Sequence, residues 1–124
     1  MPKSTTSCNN ILALIYNATA WANIADNAAA SPVTNIFMAL ATASYSAASN
    51  MSSNETVYTN YARQSPARSV AGWTAPSGGS TSNAAAIEYP QCGVTGATIT
   101  SAATGKAAGA SDIFHYGDLN SPIA

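Results

Sequence analysis

The sequence predicts an α+β domain, mostly β: an N-terminal helix followed by an antiparallel β-sandwich or barrel of about six short strands. Three observations predict it. Apolar residues recur at helical spacing near the start, the period changes to two after Pro32, and short apolar runs separated by Gly and Pro fill the remainder. At 124 residues the chain suits one core and is short for two ordinary domains. Residues 1–124 are therefore read as a single domain, with a helical segment over 1–30, a β-rich core over 33–124 and a loop over 43–56.

The helix comes first. Ile11, Leu14, Ile15, Ala18 and Ala22 fall on one helical face, and Leu12 widens it. Thr5, Thr6 or Ser7 can cap its start. The helix is expected to fray near Asn27, with Ser31-Pro32 separating it from the first strand. From Val33, VTNIFMALAT alternates with period two and reads as a largely buried strand. Residues 43–56 have no stable period and read as a loop. Further strand candidates are 57–62, 67–74, 84–89, 94–101 and 110–116. Pro76-Ser77-Gly78-Gly79, Pro90 with Gly93, and Gly105 to Gly109 supply the turns.

Composition narrows function. Only 7% of residues are charged, against about 25% in an average soluble domain. Disordered chains combine high net charge with few apolar residues; here the net charge is -1 and 47% of residues are hydrophobic. Near-zero charge favours association. The expectation is a homo-oligomer whose small side chains pack against a neighbour, a trimer being one compatible state; an alanine-rich monomer is the open alternative. The cations Lys3, Arg63, Arg68 and Lys106 are scattered, which excludes the basic stripe of a nucleic-acid binder.

The apolar run Ile11 to Tyr16 is too short to span a bilayer and its polar face lacks Lys and Arg, so no membrane association is expected. No export signal is read. Sequons at Asn17, Asn50 and Asn54 carry little weight in so Ser/Thr-rich a chain. Cys8 and Cys92 leave two readings open, one disulfide or two free buried thiols, with the thiols preferred. The single His115 has no Cys or His near it, so no metal site is expected. The Gly-rich pieces at 78–79 and 105–109 lack the order of a phosphate-binding loop and read as turns; no cofactor is expected.

Two stretches could carry chemistry. In NETVYTNYARQSPARSVAGW (54–73), Glu55, Arg63 and Arg68 occur with Tyr58, Tyr61 and Trp73. Both arginines could bind a carboxylate or phosphate bidentately, and Glu55 could be a general acid. The structural reading is favoured: each guanidinium stacks on an aromatic ring and pairs with a carboxylate or backbone carbonyl, fixing a loop or a subunit contact. In DIFHYGD (112–118), Asp112, His115 and Asp118 could join a Ser in a hydrolytic triad. No GxSxG elbow is present, and triads are defined by geometry. A final strand with a half-exposed His is the expected reading, and no catalytic residues are assigned.

The order of pieces resembles a known family. NATAWANIADNAAASPVTNIFMALATA (17–43), NETVYTNYAR (54–63), a strand around Trp73, AAAIEYP (84–90) and GK…IFHYGDL (105–119) are similar to small tailed-phage virion proteins commonly labelled tail-fibre proteins. The strongest pieces are Trp21 to Leu40 and Tyr58 to Arg63. Two departures stand out: ATASYS (41–46) replaces a family corner that carries an acid, and family members tend to continue past the position of Ile123-Ala124.

The resemblance implies a non-enzymatic structural component of a virion, made in the host bacterial cytoplasm. Its expected partners are its own copies and the major capsid protein or tail proteins. Capsid decoration, as a cement protein, is the first expectation, because a chain this short supplies neither shaft nor repeats. The alternative is a tail-fibre or tail accessory protein that binds a host-surface glycan, with Tyr45, Tyr58, Tyr61 and Trp73 stacking on sugars. Arg63, Arg68, Tyr58, Tyr61, Trp73 and Trp21 are the expected structural or interface anchors.

Overall fold

The computed structural model describes residues 2–21 and 32–124. The element order is α1 (Thr5–Tyr16), β1 (Phe37–Ala41), β2 (Ile99–Gly105) and β3 (Ile113–Ile123). Two compact units share the chain. The first comprises Met1–Asn35 and Pro66–Ile87, the second Ile36–Ser65 and Glu88–Ala124.

In the first unit, Ser4 rather than Thr5, Thr6 or Ser7 caps α1. Its side chain accepts from the Ser7 N–H at 3.1 Å, satisfying one of the free donors of the first turn. The helix stops at Tyr16, short of the expected Ala22. Ala18 takes a left-handed conformation (φ 55°), and the amides of both Asn17 and Thr19 turn back to the Ala13 carbonyl. The expected continuation through Ala22 to Asn27 lies outside the described residues. Beyond Pro66 the first unit is built of turns and bridges. The amides of Gly72 and Trp73 both reach the Ser69 carbonyl. A Cβ on Gly72 would collide with the backbone of Ala67, so only glycine fits there.

A small hairpin comes next. Trp73 bridges Asn83, Ser77 bridges Ser80, and Gly78 and Gly79 have φ of 60° and 82° between them. Two consecutive positive φ values make the turn type whose twist suits a hairpin, as Ser-Gly-Gly-Ser allows.

The second unit holds a three-stranded antiparallel sheet in the order β1-β2-β3. Along β2, buried and half-buried residues alternate strictly. The buried face presents Ala39 and Ala41 from β1 with Ser101 and Ala103 from β2. Tyr45 and Met51 from the 43–56 segment cover it, with Phe37 and Ile113 at the margin. The expected loop is thus the second layer of the core. Gly105 permits this: a Cβ there would strike Met51 Sδ and the Asp112 carbonyl.

The helix-then-antiparallel-sheet character matches the α+β expectation. The six-stranded sandwich or barrel does not form among the described residues, which contain three strands in one sheet. The expected strand at 57–62 is interrupted because Asn60 takes φ 77° and the Tyr61 amide closes a turn onto Tyr58. Residues 67–74 contribute only bridges through Ala67 and Trp73, and 84–89 pair with no strand among the described residues. The expected strands at 94–101 and 110–116 appear shifted, as β2 and a longer β3. Cys8 and Cys92 are both free thiols; contrary to the expected burial, Cys8 is half-buried and Cys92 exposed.

Candidate functional site

The densest polar constellation lies in the second unit, around Arg63. Its Nε donates to Glu55 Oε1 at 2.6 Å and its Nη2 to Glu55 Oε2 at 2.6 Å, a bidentate ion pair. Nη2 also reaches the Met51 carbonyl (2.9 Å) and Ser52 Oγ (3.1 Å). Nη1 donates to the carbonyls of Gly109 (2.7 Å) and Ala107 (3.3 Å). The pair is largely withdrawn from solvent, with side-chain exposures of 10% and 19%. Hydrogen bonding to the Glu55 carboxylate raises the already high Arg63 pKa, so the guanidinium stays charged.

Tyr61 extends the network. Its O–H donates to Glu55 Oε1 at 2.9 Å while its oxygen accepts the Leu40 N–H at 3.1 Å. Burial, foremost, pushes the Tyr61 phenol well above its ordinary range, and the neighbouring carboxylate adds to this. Tyr61 stacks nearly parallel to Tyr89 (6.2 Å, 8°) and edge-on to Tyr58 (5.3 Å). Tyr58 in turn donates to the Pro90 carbonyl at 2.8 Å.

Arg68 works differently, within the first unit. Nη2 and Nε donate to the carbonyls of Leu14 (2.5 Å) and Ile15 (2.7 Å), and Nη1 to that of Val33 (3.1 Å). The last carbonyls of a helix lack intrahelical donors and carry partial negative charge. Because α1 has no basic residue in its last turn, Arg68 supplies the cation from elsewhere in the chain. Trp73 is buried against Tyr16 (ring centroids 4.7 Å apart), and its carbonyl accepts from the Asn17 side chain. Trp21 is half-buried.

Neither chemical reading of the sequence is assembled. Glu55 is not a free acid, since both its oxygens are engaged by Arg63. His115 lies opposite Thr104 and Asp118 opposite Ser101, so the two project from opposite faces of the sheet. Asp118 accepts instead from Ser44 Oγ at 2.9 Å, and Asp112 sits 4.0 Å from Lys106 Nζ. Partial desolvation lowers the His115 pKa. The proposed sugar platform is likewise absent: Tyr45, Tyr58 and Trp73 are buried, and Tyr61 is held in the arginine network. Among the described residues, no three His, Cys, Asp or Glu side chains could together hold a metal ion, and no helix is long and apolar enough to cross a membrane.

Sequence reasoning missed Met51, which is fully buried beneath the sheet, and the carbonyls of Ala107 and Gly109, whose role carries no side-chain signature. Glu55 and Arg63 were both singled out and an arginine–carboxylate or arginine–carbonyl contact was expected; the sequence did not indicate that Glu55 is the carboxylate Arg63 takes.

No curated protein and no solved structure gives a significant match to the chain. A family does: the one described as podophage GP4 fiber I protein gp80 matches residues 4–123. With nearly the whole length covered, the chain belongs to this podophage fiber I protein family.

Proposed function

We propose that the chain is a non-enzymatic structural component of a fibre on a podophage virion. The family match over residues 4–123 carries the reading. It favours a fibre over the capsid decoration expected from chain length alone. The side-chain chemistry supports it: the arginines and the acid most suited to ligand binding or catalysis are spent on internal hydrogen bonds. The surface is poor in charge, so covering it in a permanent assembly costs little desolvation. Such a protein acts by shape and burial, joining its own copies and other virion proteins.

Host-surface recognition, if this chain performs it, uses groups other than Tyr45, Tyr58 and Trp73, which are not accessible. Electron cryomicroscopy of intact particles with quantitative mass spectrometry tests the assignment. A fibre component is expected at the tail in roughly three to a dozen or so copies, a number set by closed rotational symmetry. Density spread over the capsid shell with hundreds of copies would replace this reading with capsid decoration.

A further inference from the structure

What ends α1 is not written in the segment that follows it. Residues 17–31 contain neither glycine nor proline, the two residues that most often stop a helix. Ile11, Leu14, Ile15, Ala18 and Ala22 share one helical face, so the apolar period runs on past Tyr16. The chain nevertheless leaves the helix through Ala18 in a left-handed conformation (φ 55°). Glycine usually fills such a position, because a Cβ makes it costly.

Arg68 supplies the reason. In a continuing α-helix the carbonyls of Leu14 and Ile15 accept from the amides of residues 18 and 19. Here Arg68 donates to both, through Nη2 to Leu14 at 2.5 Å and through Nε to Ile15 at 2.7 Å. The Thr19 amide turns back to the Ala13 carbonyl instead, at 3.1 Å. Nη1 ties the same guanidinium to the Val33 carbonyl at 3.1 Å. A charged donor makes a stronger hydrogen bond than the neutral amide it displaces. Asn17 tethers this corner too, through its side chain to the Trp73 carbonyl (3.1 Å), but it occupies neither of these two acceptors.

We propose that Arg68 is a helix stop and that α1 has two lengths. With the guanidinium in place, α1 ends at Tyr16. With it withdrawn, the Leu14 and Ile15 carbonyls pass to the amides of Ala18 and Thr19. Ala18 returns to the right-handed conformation, and residues 17–20 join the helix as about one further turn. Two side-chain hydrogen bonds are exchanged for two backbone ones, and the cost of the left-handed alanine disappears. The length of α1 is thereby governed by a residue 53 positions away from Ile15. The device does not depend on where in the virion the protein sits.

Ala18→Gly, made in the full chain with and without Arg68→Ala, tests this by the sign of its effect. Where residue 18 is left-handed, glycine removes the steric cost, and the unfolding constant measured in urea should fall about fivefold. Where residue 18 lies inside a helix, the same substitution should raise that constant by about as much. The Cα and Cβ chemical shifts of Ala18 should also move from left-handed to right-handed helical values on Arg68→Ala. The added turn is held by nothing outside the helix and frays, so conformation rather than amide protection identifies it. If Arg68→Ala folds poorly, Arg68→Lys keeps the charge and loses the fork, and the gain from glycine should shrink in it. An equal gain with and without Arg68, or an Ala18 that stays left-handed in its absence, would show that the local segment stops the helix and would overturn the proposal. So would the lack of any gain with Arg68 in place.

Discussion

Arg63 and Arg68 stand a few residues apart in the sequence and anchor different units by different means. Arg63 takes a carboxylate in bidentate contact and spends its other donors on the carbonyls of Met51, Ala107 and Gly109 and on the Ser52 hydroxyl. Arg68 donates to the open carbonyls at the end of α1 and to Val33. The first arrangement is a withdrawn ion pair, in which removing one partner strands the other. The second replaces hydrogen bonds a helix end would otherwise make with water. One residue type thus gives two very different sensitivities to substitution.

Arg63→Ala is expected to have the largest effect. It leaves the Glu55 carboxylate in a poorly solvated site and should cost about 3–5 kcal/mol, a large share of a typical domain's stability. Urea unfolding of the purified protein measures it, and a change under about 1 kcal/mol, the scale of an exposed pair, would erase the contrast between the sites. Arg68→Ala should cost about 2–3 kcal/mol, and amide exchange should locate the loss at the end of α1. Faster exchange spread equally over β1 and β2 would show that the two sites are not independent.

Tyr61→Phe sharpens the comparison within the second unit. It removes the acceptor of the Leu40 N–H and one donor to Glu55, for about 1–2 kcal/mol. It should also soften the alkaline transition. Burial raises the phenols of Tyr45, Tyr58, Tyr61 and Tyr89 above their ordinary value. The unfolded chain therefore loses these protons first, so stability is whole below about pH 10 and falls as pH rises above it. Tyrosinate absorbance with circular dichroism should show a shallower decline in the variant; identical slopes would deny Tyr61 its share. The smallest effect belongs to Ser4→Ala, about 1 kcal/mol from loss of the α1 cap, seen as a small drop in melting temperature.

The sequence was most legible where a period holds. Ile11, Leu14 and Ile15 marked the helix, the alternation around Met38 marked β1, and IFHY marked the start of β3. It was least legible where the core is built without a period. Tyr45 and Met51 sit in a Ser- and Asn-rich segment that looked like solvent-exposed loop, yet they cap the buried face of the sheet. Residues 57–62 had strand composition, and the positive φ of Asn60 broke them into a turn. The site was half legible for a related reason. The rarity of charge exposed Glu55, Arg63 and Arg68, but three of Arg63's acceptors are main-chain carbonyls, which every residue carries.

The Arg63 network also bears on the order of synthesis. Its acceptors lie at 51–55 and again at 107–109, and each compact unit is interrupted by a stretch of the other. A nascent chain that has exposed Arg63 still lacks Gly109, and it lacks β2 and β3, on which Met51 will rest. The first unit can therefore close only after its second stretch, Pro66–Ile87, has emerged from the ribosome, and the second waits for β2, the 107–109 segment and β3. Because the contacts that define it are long-range, folding is expected to be slow for so small a protein. Chains cut short before Gly109 would be left without the ion pair's carbonyl cradle and open to proteolysis.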